Sequence, residues 1–247
     1  MNKEKIISVS HLVKRFGAFA AVDDISFDVF SGEIFGFLGA NGAGKTTAMR
    51  MLCGLSYPTS GTGRVAGFDI SKDAERIKTH IGYMSQRFSL YDDLTVEENM
   101  RFYGGIYGVA GAGLDERIDS QLKMLSFSEE RSAMVGSLPL GWKQKLAFAV
   151  ATLHKPEIVF LDEPTGGVDP VTRRMFWEMI YQAAAAGTTI FVTTHYMDEA
   201  EYCDRVSIMV DGKIMALDTP RMLKEKYGAA DMDGVFRTLA RQAIRGD

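Results

Sequence analysis

Cysteine is scarce: Cys53 and Cys203 are the only two in 247 residues. Both fall on segments read as helices with apolar neighbours. They predict buried free thiols in a reducing compartment, not a disulfide framework or a metal cluster. Long apolar runs are missing too, and none approaches the ~20 residues that a membrane-spanning helix needs. The opening Met1-Asn2-Lys3-Glu4-Lys5 leads into a mixed segment unlike a signal peptide. No long basic run exists, and 28 Lys and Arg against 32 Asp and Glu leave a net charge of -4. Bulk nucleic-acid binding, which uses a basic face, is therefore disfavoured. Repeats and low-complexity segments are absent. What remains is a globular composition, 46% hydrophobic and 24% charged, long enough for one large domain or a domain with a subdomain.

The chain is ordered around Gly39-Ala40-Asn41-Gly42-Ala43-Gly44-Lys45-Thr46-Thr47. An apolar run at 33–38 precedes it as a buried strand, and 48–54 follows as a helix. Strand, glycine loop, then Lys-Thr opening a helix is the context of a phosphate-binding P-loop. Gly39, Gly42 and Gly44 let the backbone turn tightly and approach an anion. The loop N–H groups and the helix N-terminus offer partial positive charge to phosphates. Lys45 is spaced to reach the β- and γ-phosphates, and the Thr46 hydroxyl to ligate Mg²⁺.

Before and after this loop the pattern is mostly strand. Residues 6–16 read as a strand near a sheet edge. Val22, Ile25, Phe27 and Val29 share one face of the next. Residues 61–63 read as a turn before a strand at 64–68, and 81–86 as a short buried strand ending on Gln86. From 95 to 154 the pattern turns helical, with candidates at about 96–107, 114–126 and 142–154. Thr95 and Glu98 form a capping box at the first of these. Gly104, Gly105, Gly108, Gly111 and Gly113 mark a loop before the second. Strands return at 157–161, 188–193 and 206–210, with helices near 170–186 and 197–203 between them. This alternation predicts a parallel sheet with crossovers. Asp211-Gly212 turns a hairpin, and Pro220 opens a last helix pair.

A P-loop needs a carboxylate on a neighbouring strand to hold Mg²⁺. The run at 158–161 delivers Asp162 at the C-terminal end of a buried strand, where ligands bind in parallel sheets. Glu163 is then placed to orient or deprotonate an attacking water. His195 also ends a strand. A lone histidine is usually structural, but at that position in a nucleotide-binding sheet it is set for a γ-phosphate contact.

These motifs, in this order, resemble the ATP-binding cassette family over about residues 5–225. Residues 39–46 match its Walker A motif, Gln86 the Q-loop, 158–163 Walker B with the catalytic glutamate, Gly167-Val168-Asp169-Pro170 the D-loop, and His195 the switch histidine. The resemblance implies an α/β fold: a P-loop NTPase (RecA-like) core with a mostly parallel sheet, an N-terminal antiparallel β subdomain and an inserted helical subdomain. The ATPase domain would span 1–228, with the core at about 1–90 and 155–228 and the helical subdomain at about 91–154. Residues 229–247 would form a C-terminal helical tail. ATP and Mg²⁺ are the implied cofactors. Lys45, Gln86, Glu163 and His195 would form the catalytic group, with Thr46, Gln86 and Asp162 around the metal. Phe16, the loop from Gly39 to Thr47, Gln86, Gly141, Asp162 and Asp169 would bind the nucleotide with its metal. Phe16 falls where the family stacks an aromatic on adenine, commonly Tyr; a core aromatic is the alternative.

The family signature, usually Leu-Ser-Gly-Gly-Gln, departs here to Leu138-Pro139-Leu140-Gly141-Trp142-Lys143-Gln144. Pro139 stands for the serine and Leu140 for the first glycine. This stretch and residues 85–98 look most like the bacterial drug-exporter branch. The resemblance further implies a head-to-tail dimer with a second cassette, homodimeric or heterodimeric, driving a membrane permease supplied by another chain or by a missing part of this one. The expected place is cytoplasmic, peripheral on the inner face of the membrane, with no nucleic acid as partner. Phe88, Leu90, Tyr91 and Leu94 form either the dock for a permease helix or subdomain core. Two other readings stay open: a soluble cassette ATPase acting on ribosomes or DNA, and a catalytically dead regulatory cassette, which the presence of Lys45, Asp162, Glu163 and His195 opposes.

Overall fold

The computed structural model describes residues 4–86 and 89–245. In chain order the elements are β1 (Lys5–Phe16), β2 (Phe19–Phe30), β3 (Ile34–Gly39), α1 (Lys45–Leu52), β4 (Ser60–Val65), β5 (Phe68–Asp69), α2 (Ala74–His80), β6 (Ile81–Met84), α3 (Val96–Ile106), α4 (Ala112–Leu125), α5 (Leu140–Thr152), β7 (Ile158–Asp162), α6 (Pro170–Ala185), β8 (Thr189–Thr194), β9 (Arg205–Val210), β10 (Lys213–Asp218), α7 (Pro220–Tyr227) and α8 (Met232–Arg245). A 3₁₀ stretch, Met197–Tyr202, stands where a helix near 197–203 is expected.

Two sheets form. The first is antiparallel, in the order β2-β1-β4-β5, and the second runs β10-β9-β3-β8-β7-β6 with only β10 antiparallel. β3 lies in the middle of the second sheet, buried on both faces, so its side chains are apolar throughout. Phe35 and Phe37 point toward the first sheet. There Phe191 meets Phe27, Phe35, Phe37 and Phe160 at centroid distances of 6.2, 5.5, 5.4 and 5.3 Å. Ile34 and Leu38 point the other way, into a core shared with α5, α6 and α8. α3, α4 and α5 form a third core around Val96, Met100, Ile118, Leu122 and Leu146. α5 touches both of the last two cores, which is why its 146–151 run is buried on every side.

Several expectations are corrected. β1 is interior, paired on both sides, and not an edge strand. Gly61 and Gly63 lie inside β4; the turn is Ala66-Gly67. Gly61 serves a bulge instead: at φ +87 any Cβ would lie 2.1 Å from the His11 carbonyl. Gly104 and Gly105 are in α3, and a Cβ on Gly104 would strike Leu114 at 2.4 Å, so it sets the α3–α4 approach. α2, too short to show a period, is an additional helix. The thiols of Cys53 and Cys203 are free and buried, as expected.

The Thr95 capping box forms as expected, and α3 then carries an ion-pair network. Glu97 accepts from Arg131 Nε at 2.5 Å and Arg101 Nε at 2.8 Å. The Arg131 hydrogen bond, helped by Arg101, holds the Glu97 carboxyl down to about 2 from an ordinary 4.5. A depressed folded value means stabilisation present above 4.5 and lost as pH falls toward 2. Glu97 is partly solvent-screened, so Glu97→Gln should cost about 1 kcal/mol at neutral pH. Urea denaturation at neutral pH and again near pH 2 checks this: the gap to the parent should close in acid.

Candidate functional site

β3 delivers the phosphate loop at the centre of the second sheet. At its end Gly44 adopts φ +103, and a Cβ there would lie 2.1 Å from the Ala21 carbonyl. The loop therefore folds tightly beneath β2, and only glycine permits it. Lys45 opens α1 and is 4% exposed. Its ammonium donates to the Gly39 and Ala40 carbonyls at 2.8 and 3.0 Å, and sits 3.3 Å from Glu163 Oε1. Burial pushes the Lys45 ammonium downward, opposed by Glu163 and Asp162.

β7 and β8 run side by side and parallel, so Asp162 and Thr193 are register partners. The Thr193 hydroxyl donates to Asp162 Oδ1 at 2.7 Å, and the Thr46 hydroxyl donates to the same oxygen at 3.0 Å. Burial raises Asp162 above the usual carboxylate range, against these two hydrogen bonds. Glu163 follows at φ 48, the left-handed region, which costs a non-glycine residue on the order of 1–2 kcal/mol. Its N–H donates to the Thr193 hydroxyl and carbonyl at 3.0 and 3.1 Å, which holds that turn. The turn brings the Glu163 carboxylate to three groups. Lys45 faces Oε1. Gln86 Nε2 donates to Oε2 at 3.0 Å, and His195 Nδ1 lies 3.0 Å from the same oxygen. A carboxylate only accepts, so the proton of that last bond is on His195 Nδ1.

Around this cluster opens a cleft of about 330 Å³, lined by Phe16, Phe19, Ala21, Asn41, Gly42, Gly44, Lys45, Thr46, Thr47, Gln86 and Glu163. Phe16 is 57% exposed and Phe19 64%, so the core alternative for Phe16 is wrong. Lys14 Nζ lies 5.1 Å over the Phe16 ring. Phe19 is a cleft residue that the sequence reading missed. The signal available was a second aromatic just past Gly17, across the β1–β2 turn. Thr193 was missed as well, since a threonine inside a buried strand carries no motif.

Gly141 and Asp169 are not in the cleft. Asp169 caps α6, accepting from the Val171 and Thr172 N–H groups at 3.0 Å each and from the Thr172 hydroxyl at 2.6 Å. A Cβ on Gly141 would lie 2.6 Å from Thr172 Cγ2. The two residues thus meet each other through Thr172, on a separate face.

Among the described residues no group of three or more His, Cys, Asp and Glu could hold a metal by itself. Mg²⁺ does not need one: it is commonly held by one or two carboxylates plus substrate phosphates. A buried lysine, a glycine loop closed beneath it, and a hydroxyl–carboxylate pair beside it fit a nucleotide phosphate with Mg²⁺.

A family model described as "ABC transporter" matches residues 22–166, more than half of the chain. The chain belongs to the ABC transporter family. It carries that family's ATP-binding ATPase domain, and the RecA-like α/β reading of the fold stands. The ABC relatives include the probable multidrug ABC transporter ATP-binding protein YbhF of Escherichia coli K12, 49% identical over 221 residues. That match takes in 90% of this chain and 38% of YbhF, so the chain spans well under half of that relative. The Nod factor export ATP-binding protein I of Ralstonia nicotianae is 37% identical over 219 residues, 88% of this chain and 68% of its own. A solved ATP-binding subunit of an ABC transporter superposes with a TM-score of 0.86 at 28% identity, covering 95% of this chain and 99% of that one.

Proposed function

We propose that this ABC chain binds and hydrolyses ATP with Mg²⁺ and drives a separate membrane permease, as a multidrug or small-molecule exporter. The observation that carries the proposal is Glu163, touched at once by Lys45, Gln86 and His195 beside the Thr46–Asp162 pair. In this reading Phe16 and Phe19 stack the base, and the loop N–H groups from Gly39 to Thr47 with Lys45 hold the phosphates. Thr46, Asp162 and Gln86 surround Mg²⁺, which when bound neutralises charge on the transferring phosphoryl group. Glu163 takes the proton of the attacking water, and His195 keeps the carboxylate aimed. The domain would comprise residues 1–228 with the helical subdomain at about 91–154, followed by the tail at 229–247.

Gly141 and Asp169 lie together away from the cleft, which supports a second cassette completing each site head to tail. One surface pair would then be used twice. Among the described residues no helix is long and apolar enough to cross a membrane, so the permease reading needs spans from elsewhere. The proposed place is the cytoplasmic face of the membrane, with no nucleic-acid partner. The names of the YbhF and Nod factor relatives favour transport over the ribosome or DNA alternative, and that of the second favours export.

The proposed dock lies near Gln86. Phe88 falls outside the described residues. Leu90 is half-buried against the helical cores, so it serves as packing. Tyr91 is 44% exposed and stands edge-on to Phe102, 42% exposed, at 4.9 Å. An exposed aromatic pair of this kind marks an interface. The test is Mg²⁺-dependent ATP hydrolysis by the purified chain, with membrane flotation of the chain beside its permease. Tyr91→Glu should abolish flotation and leave soluble hydrolysis within about two-fold, as surface substitutions away from a site usually do. Flotation unaffected by Tyr91→Glu would remove Tyr91 from the dock, and co-purification with ribosomes would favour the alternative.

A further inference from the structure

His195 is not held by Glu163 alone. Its ring lies against Tyr196 at a centroid distance of 4.2 Å, tilted by 35°. The same tyrosine is covered by Arg173, whose guanidinium carbon sits 4.1 Å over the ring. Arg173 belongs to the first turn of α6, next to Thr172 and one turn on from Asp169. Two acids of the 3₁₀ segment after His195 flank it: Asp198 Oδ2 lies 3.5 Å from Nη1, and Glu199 Oε1 3.6 Å from Nε. Glu199 is fully buried and accepts the Thr165 hydroxyl at 2.5 Å. Arg173 Nε and Glu199 Oε2 are buried without a hydrogen-bond partner among the described residues. The guanidinium therefore donates one long hydrogen bond, from Nη1 to Asp198 Oδ2 at 3.5 Å, and is drawn to Glu199 by charge alone. Its planar face lies over the ring of Tyr196.

We infer that Arg173 is a positioning residue for His195, acting through the stacked ring of Tyr196. The kinetic consequence rests on the proposed role of His195 in hydrolysis; the positional one does not. A guanidinium is planar and stacks on a ring, whereas an ammonium is a hydrated point charge on a flexible stem. Lysine at 173 would keep the charge near Asp198 and Glu199 and lose the stack. Removing the stack frees Tyr196, and the imidazole of His195 then loses the ring contact that holds it beside its hydrogen bond to Glu163. The same contacts join the helix capped by Asp169 to the histidine beside Glu163, so the orientation of His195 depends on where the start of α6 sits.

The experiment uses the full chain without nucleotide, observed by imidazole NMR. Four histidines are present, His11, His80, His154 and His195, and His195→Ala assigns the signal of interest. Arg173→Met and Arg173→Lys should both move the His195 ring signals and leave the other three in place, which also shows that the variants fold. If Arg173→Met does not fold, Tyr196→Leu removes the same stack from its other member and should move the same signals. In the ATPase assay both Arg173 variants should lower kcat about 2- to 30-fold, the range for one cation–π contact, with KM for ATP unchanged. In a His195→Ala background they should lower it no further. Unmoved His195 signals, a lysine variant identical to the parent, or a loss that adds to that of His195→Ala would overturn the inference. If the parent chain does not hydrolyse ATP while the His195 signals still move, the hydrolase reading fails and the positional one stands.

Discussion

Glu163→Gln should slow Mg²⁺-dependent ATP hydrolysis by about 100-fold or more while ATP still binds, the range for loss of a positioned general base. The substitution is nearly isosteric and leaves the left-handed turn at residue 163 as it is, because that turn is held by main-chain bonds to Thr193. The amide oxygen can still accept from Gln86 and His195. What disappears is the ability to take a proton, together with the negative charge 3.3 Å from Lys45. Lys45 stays held by the Gly39 and Ala40 carbonyls, so the loop persists and its charge is freer for phosphate. Equilibrium ATP binding alongside steady-state turnover decides the matter. Parent-like turnover would remove Glu163 from the role of base, and lost binding would show that its charge organises the loop instead.

The second large effect concerns assembly. In that Glu163→Gln background, Pro139→Ser should tighten ATP-driven association of two chains by about 10- to 100-fold, the worth of one hydrogen bond to a charged group. Pro139 occupies the N-cap of α5 and gives that helix no side-chain cap. It offers only its carbonyl, which accepts from the Trp142 and Lys143 N–H groups at 3.0 and 3.1 Å. It thus has neither a hydroxyl nor an N–H for a phosphate held by the facing chain. Leu140, 45% exposed, stands beside it in place of a glycine. What is left to attract an anion is the N-terminal end of α5 and the Gly141 backbone. Sedimentation with ATP and Mg²⁺ should therefore find the Glu163→Gln chain mainly monomeric at low micromolar concentration. A stable dimer there, or no gain from Pro139→Ser, would show that the missing serine contact does not limit closure.

The sequence was most informative where chemistry demands a residue type at a fixed spacing. Glycines 39, 42 and 44 before Lys45-Thr46, and an acidic pair closing an apolar strand, have few uses other than phosphate and metal, and their partners in the sheet follow. The capping box at Thr95 was legible for the same reason: two side chains three apart satisfy two backbone groups. Legibility failed where a position is set by a neighbour distant in the chain. Gly61 looked like a turn because its reason, the carbonyl of His11 on another strand, is invisible locally. Thr193 holds both Asp162 and Glu163, yet along the chain it is one more β-branched residue in a buried strand. Asp169 was readable as a family position, but not as the cap of α6. Phe16 and Phe19 flank a tight turn, and only the folded cleft shows that both rings face outward.

The central position of β3 has a consequence for synthesis. Its two neighbours, β8 and β9, begin at Thr189 and Arg205, 155 and 171 residues after β3 begins at Ile34. A chain emerging vectorially therefore carries Ile34, Phe35, Phe37 and Leu38 without either flanking strand through most of translation. Such long-range pairing is slow, and an unpaired apolar strand is an edge open to other nascent chains. The first hairpin, β1 with β2, can form at once and shields the Phe35 and Phe37 face. The opposite face waits for α5 and α6, so chaperone demand should be greatest between completion of the hairpin and arrival of β8.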